Sequence, residues 1–93
     1  MAIISFWSCS PSEQELFDEG IKMMETEQYD KAIEFFDRTI EKNPANTTVL
    51  NAKGVALFQQ SKFDEAIASF SASIDVDSTS YKPYFNRGNA YLE

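Results

Sequence analysis

The chain has 93 residues, 43% of them hydrophobic and 14% aromatic, with a formal net charge of -7. That is room for one domain or part of one, and too much apolar content for a disordered chain. The acidic balance repels phosphate backbones and argues against nucleic acid as a partner. With no histidine and a single cysteine, no zinc ligand set, disulfide pair, or Ser–His or Cys–His catalytic pair can be assembled.

Residues 1–10 open the chain with an apolar run, "MAIISFWSCS". Three readings stay open. The run is an end carried over from cloning or disordered, or an arm that folds back over a groove. The third reading takes it as the tail of a lipoprotein signal, with Cys9 as the lipid acceptor. "SFWSCS" is similar to such a cleavage region, but no Lys or Arg occurs before Lys22 to form the basic start of a signal. Localisation follows the choice: cytoplasmic, or membrane-anchored through Cys9.

From residue 11 the pattern is helical. "SPSE" suits a helix start, with Ser10 as cap, Pro11 in the first turn and Glu13 completing a capping box, for a first helix over 11–26. Ala32, Ile33, Phe36 and Ile40 fall on one face of a second helix over 29–42. "NPAN" breaks it. A third helix is expected over 47–60. A fourth, over 63–76, repeats the apolar face with Ala66, Ile67, Phe70 and Ile74. "DSTS" is the next connector, before a fifth helix over 80–92. Asp30 and Asp64 are expected to cap the second and fourth helices.

The repetition is exact in spacing. Tyr29 answers to Phe63, Asp30 to Asp64, Ala32 to Ala66, Phe36 to Phe70, and the glycines Gly20, Gly54 and Gly88 stand 34 residues apart. A fixed period of about 20–50 residues marks a stacked-repeat architecture. A glycine inside a helix costs about 1 kcal/mol relative to alanine, so three at one period imply a packing gain. We expect the slim residues to let paired helices approach, and Phe36 and Phe70 to fill the space between one pair and the next.

These positions resemble the tetratricopeptide repeat (TPR) family, whose helix-turn-helix unit has 34 residues. The family's small residue matches Gly20, Gly54 and Gly88; its alanine with an aromatic four residues on matches Ala32/Phe36 and Ala66/Phe70; its unit-ending proline matches Pro44. Bulky residues stand four before each glycine (Leu16, Leu50, Tyr84) and three after it (Met23, Leu57, Tyr91). Departures are Glu19, Lys53 and Arg87 at a position often Leu, Ser78 for a second proline, and a third unit that stops after its first helix. That last departure reads as a cut from a longer array, or as a helix that packs on another molecule.

The resemblance implies an all-α, right-handed superhelical stack of antiparallel helix pairs. It would hold five helices in about two and a half repeats (13–46, 47–80, 81–93) within a domain over 11–93. It implies a non-enzymatic module that binds a protein or peptide, with no cofactor or metal. The concave groove would be lined by the first helix of each unit: Phe17, Ile21 and Met24, then Asn51, Val55 and Phe58, then Lys82, Phe85 and Asn89, with Gln14, Glu25, Thr48, Gln59 and Leu92 beside them. Much of that set is apolar and suits an amphipathic helix or an apolar peptide. One family subset grips a C-terminal carboxylate through Lys, Asn and Arg. The matching positions here carry Phe17, Ile21, Ala52, Lys82 and Asn86, so that clamp is not expected. The alternative function is self-association through the open last helix or the apolar N-terminus.

Overall fold

The computed structural model describes residues 10–93; Cys9 and the apolar run before it lie outside the described residues. The described chain is five helices in sequence: α1 Glu13–Glu25, α2 Tyr29–Lys42, α3 Thr47–Gln59, α4 Phe63–Val76 and α5 Lys82–Tyr91. Each packs on the next, and α3 also touches α5 across the intervening helix. The second and fourth helices have the expected bounds. The first, third and fifth are shorter than expected by one to three residues, because their ends are taken up by caps and turns.

The core is built from the repeated positions. Ala32, Phe36, Ala66 and Phe70 are at most 1% exposed, and Val49, Ala56 and Leu57 join them. Two connected clusters result. One centres on Ala32, Phe36, Val49 and Ala56. The other centres on Leu57, Ala66, Phe70 and Ala90, with Ile33 reaching in from the preceding hairpin. Each helix pair therefore completes its interior with side chains of the next, which is how a repeat too small to bury a core alone becomes stable.

The glycines do something more specific than thin a helix contact. A Cβ built on Gly20 would lie 2.4 Å from Cε1 of Phe36, and one on Gly54 would lie 2.3 Å from Cε1 of Phe70. Each phenyl ring sits directly on the glycine of its own hairpin. The expectation that these rings fill the space between one pair and the next is thereby extended: each ring also fills its own hairpin, while it shares a core cluster with residues of the next pair.

Capping also differs from expectation. The N-cap of α1 is Ser12, not Ser10: its Oγ accepts from Glu15 N–H (3.1 Å), and Glu15 accepts from Ser12 N–H (2.8 Å), a complete capping box. Glu13 is freed for another task. Its Oε2 accepts from the side-chain amides of Asn43 (3.0 Å) and Asn46 (2.6 Å), so it clasps the α2–α3 connector to the start of α1. Asp30 and Asp64 are not caps. The N-caps are Gln28 and Lys62, whose side chains make no capping bond, and both aspartates lie in the first turn. There their charge opposes the positive helix end, and Asp30 also accepts from Gln60 Nε2 at 2.5 Å.

The turn inside each hairpin is the same motif twice. Gln28 N–H donates to Met23 O and Glu27 N–H to Met24 O; Lys62 N–H donates to Leu57 O and Ser61 N–H to Phe58 O. This is the Schellman pattern, which needs one left-handed residue. Glu27 (φ 60°) and Ser61 (φ 61°) take that conformation without being glycine.

Between hairpins the turn is closed by a side chain. Asn43 Oδ1 accepts from Ala45 N–H (3.1 Å), and Asp77 Oδ1 accepts from Thr79 N–H (2.9 Å) and its hydroxyl (2.6 Å). The three charged departures are satisfied at the edges: Glu19 with Lys22 (3.1 Å), Lys53 with Asp37 (2.7 Å), and Arg87 with Ser71 Oγ (3.2 Å).

Candidate protein-interaction groove

Serine and glycine bring α3 and α4 close, and this sets the groove's depth. Ser69 Oγ donates to Leu50 O (2.7 Å) and Ser73 Oγ to Thr47 O (3.0 Å), so α4 lies against the backbone of α3. On the other side, α5 leans on α3 through Asn86 Nδ2, which donates to Asn51 Oδ1 at 3.1 Å. Between α3 and α5 a cleft of about 200 Å³ remains, lined by Val55, Phe58, Gln59, Asn86 and Asn89, with the Phe70 ring at its base. None of those side chains carries a charge. Its chemistry is an apolar floor with an amide rim.

The residues expected to line a groove are distributed over several places. Val55, Phe58 and Asn89 share the α3–α5 cleft. Asn51 and Lys82 share a neighbouring hollow of about 250 Å³ at the N-terminal ends of the same helices, beside Thr48. Phe17 borders a third, of about 150 Å³, with Gln14, Thr48 and Val49. Ile21 and Met24 are half-buried and pack on the first core cluster, as does Phe17, whose ring centroid is 5.9 Å from that of Phe36. Phe85 is 65% exposed and borders none of these hollows. Phe58 has two roles, lining the cleft and meeting Phe63 edge-on at 5.3 Å.

Asn86, by sequence a clamp position and a polar residue of the last helix, lines the cleft. The signal for its place was present. It stands three residues before Asn89, on the same helical face.

Among the described residues no group of three or more Cys, Asp or Glu is placed to hold a metal ion. No helix of the described chain is long and apolar enough to cross a membrane.

Comparison with known proteins agrees with this geometry. Residues 54–93 match a family model described as TPR repeat. The structure is similar to the first TPR of Spaghetti (RPAP3) bound to HSP90 peptide SRMEEVD, with TM-score 0.84 and 24% identity over 86% of this chain and 64% of that one. It is similar to the second TPR of the same protein, bound to the same peptide (TM-score 0.83, 25% identity, 86% of this chain and 74% of that one). It also resembles MamA of AMB-1, with TM-score 0.80 and 26% identity over 95% of this chain and 48% of that one. The chain thus spans less than two thirds of the first of these domains and about half of MamA. The 34-residue period, the glycine-seated rings and these likenesses together give the chain the fold of tetratricopeptide repeat domains, and residues 54–93 match the model of that repeat.

Proposed function

We propose that this chain is a peptide-binding module whose α3–α5 cleft takes an uncharged apolar segment, either an extended peptide or one face of an amphipathic helix. The observation that supports this is the cleft's chemistry: Val55 and Phe58 offer apolar area, and the amides of Gln59, Asn86 and Asn89 offer donors and acceptors without charge. Peptide binding is the mode of the Spaghetti domains. Their ligand, SRMEEVD, is acidic. Here the positions of the carboxylate clamp carry Phe17, Ile21, Ala52, Lys82 and Asn86, so one cation stands where that clamp needs several. An acidic peptide would lose hydration without gaining partners.

The test is selection from a displayed peptide library on the wild-type chain and on Asn89→Arg. Arginine at residue 89 fills the cleft, and as a good helix former on a half-exposed face it leaves the fold intact. Phe58→Glu is a poorer choice, since it also removes the contact with Phe63. We expect wild type to enrich uncharged apolar sequences, and Asn89→Arg to lose them while its unfolding transition stays in place. Equal enrichment on both proteins, or enrichment of acidic C-terminal sequences, contradicts the proposal.

A further inference from the structure

The two seams between hairpins, α2 with α3 and α4 with α5, differ in one pair of residues. In the first seam Lys53 reaches back to Asp37, with Nζ 2.7 Å from Oδ1. In the second, Arg87 Nη1 donates to Ser71 Oγ at 3.2 Å. Arg87 stands one 34-residue period after Lys53, and Ser71 one period after Asp37. The same place in the stack therefore holds an ion pair once and a cation on a neutral hydroxyl the second time. Each pair runs back to the helix before it, so the comparison concerns positions inside the stack.

Both replacements favour the same chemistry. A serine becomes strongly anionic when its oxygen carries a phosphoryl group. Arginine in place of lysine exchanges a point charge for a planar fork, which matches phosphate oxygens with two parallel bonds. The surroundings leave room for the charge. Asp37 has Glu34 three residues before it and Glu41 four after, on one helical face; Ser71 has Ala68 and Asp75 at those places. Ser69 and Ser73, the other serines of α4, are buried and donate to the α3 backbone. Ser71 is half-buried at the edge, with the guanidinium beside it.

We propose that Ser71 is a phosphorylation site, and that its phosphoryl group pairs with Arg87 and fastens α5 to α4. A protein kinase carries out the step. Ser71 Oγ attacks the γ-phosphorus of a nucleoside triphosphate, the hydroxyl proton passes to the kinase's base, and the nucleoside diphosphate leaves. Access comes from local opening of the seam: α5 has 10 residues against 13 or 14 in the other helices. The inference concerns the seam and does not depend on what the α3–α5 cleft takes.

Two measurements test it. The full chain is incubated with ATP and a lysate of the cells that make it, and phosphate is mapped by mass spectrometry. We expect it on Ser71; phosphate only on other residues, or on none, overturns the proposal. Separately, phosphoserine is installed at residue 71 during synthesis, in the wild-type chain and in Arg87→Gln. Phosphoserine should raise the thermal midpoint by about 4 °C or more. Arg87→Gln should remove most of that rise, and added salt should shrink it. A midpoint unchanged or lowered by phosphoserine, or a rise that survives Arg87→Gln, overturns the pairing. If Arg87→Gln does not fold, Arg87→Lys, which keeps the charge without the fork, still decides through phosphorus NMR. The phosphate should titrate at lower pH than in an unstructured peptide of the same local sequence, and less so beside lysine than beside arginine. Titration as in the peptide overturns the proposal.

Discussion

Asp77 shows how a connector residue can carry a pH dependence. The hydroxyl of Thr79, followed by its backbone N–H, stabilises the ionised carboxyl and holds its pKa below the usual carboxylate range. A folded-state pKa below the unfolded one contributes stability that is fully present above the unfolded value, near 4, and is lost as pH falls through the folded value. Asp77→Asn keeps the acceptor oxygen, as Asn43 does in the preceding connector, but loses the charge. Wild type should therefore be the more stable protein at neutral pH and lose that margin progressively as pH falls below the unfolded value and through the lowered folded one. A urea-unfolding series from neutral to acid pH checks this. An unchanged margin would assign the turn's stability to something other than the carboxylate. The clasp between Glu13 and the two connector asparagines was not legible in the sequence. Glu13 and Asn46 are 33 residues apart, and only the assembled stack brings them together. The "SPSE" start was legible as a cap, but its register was off by two residues, because Ser10 and Ser12 are equally suited to the role until the chain's path is known.

At the scale of the element, the helices were readable because two signals coincided: apolar residues at helical spacing, and a second copy of the same signal one period on. The misplaced caps have a physical reason. Asp30 and Asp64 are good N-cap residues by type, but the Schellman turn before each helix fixes the chain so that the carbonyls of Gln28 and Lys62 open the helices, leaving the aspartates two residues on, within the first turn. That same turn predicts a stabilising change. A non-glycine residue in the left-handed region costs about 1–2 kcal/mol. Relief of this cost is partly offset by glycine's greater freedom in the unfolded chain, about 0.5–1 kcal/mol. Glu27→Gly and Ser61→Gly should each raise stability, by about 0.5 kcal/mol on balance. Thermal unfolding of both variants is the check, and a lower midpoint in both would mean that these turns are held by contacts beyond the backbone pattern.

Over the whole molecule, the architecture was legible and the groove was legible only in part. Periodicity says which side chains recur, and recurring small and aromatic residues are packing parts. It does not say how deep a groove is. That depends on how closely α4 lies on α3 through Ser69 and Ser73, and on the Asn51–Asn86 bond that sets α5 against α3. Hence Ile21 and Met24, groove residues by spacing, contribute to the first core cluster, while Val55, Phe58 and Asn89 share an open cleft. The account rests on a ring seated on a glycine as the joint of each completed hairpin. The direct measurement is the unfolding free energy of Gly20→Ala, Gly54→Ala and Gly88→Ala under one set of conditions. At the first two sites the added methyl meets a buried phenyl ring at 2.4 and 2.3 Å, so despite better helix propensity each should lose about 1–3 kcal/mol. At Gly88, among the described residues, nothing lies within 4 Å of the methyl, and the variant should gain up to about 1 kcal/mol. Three similar losses, or gains at Gly20 and Gly54, would contradict it.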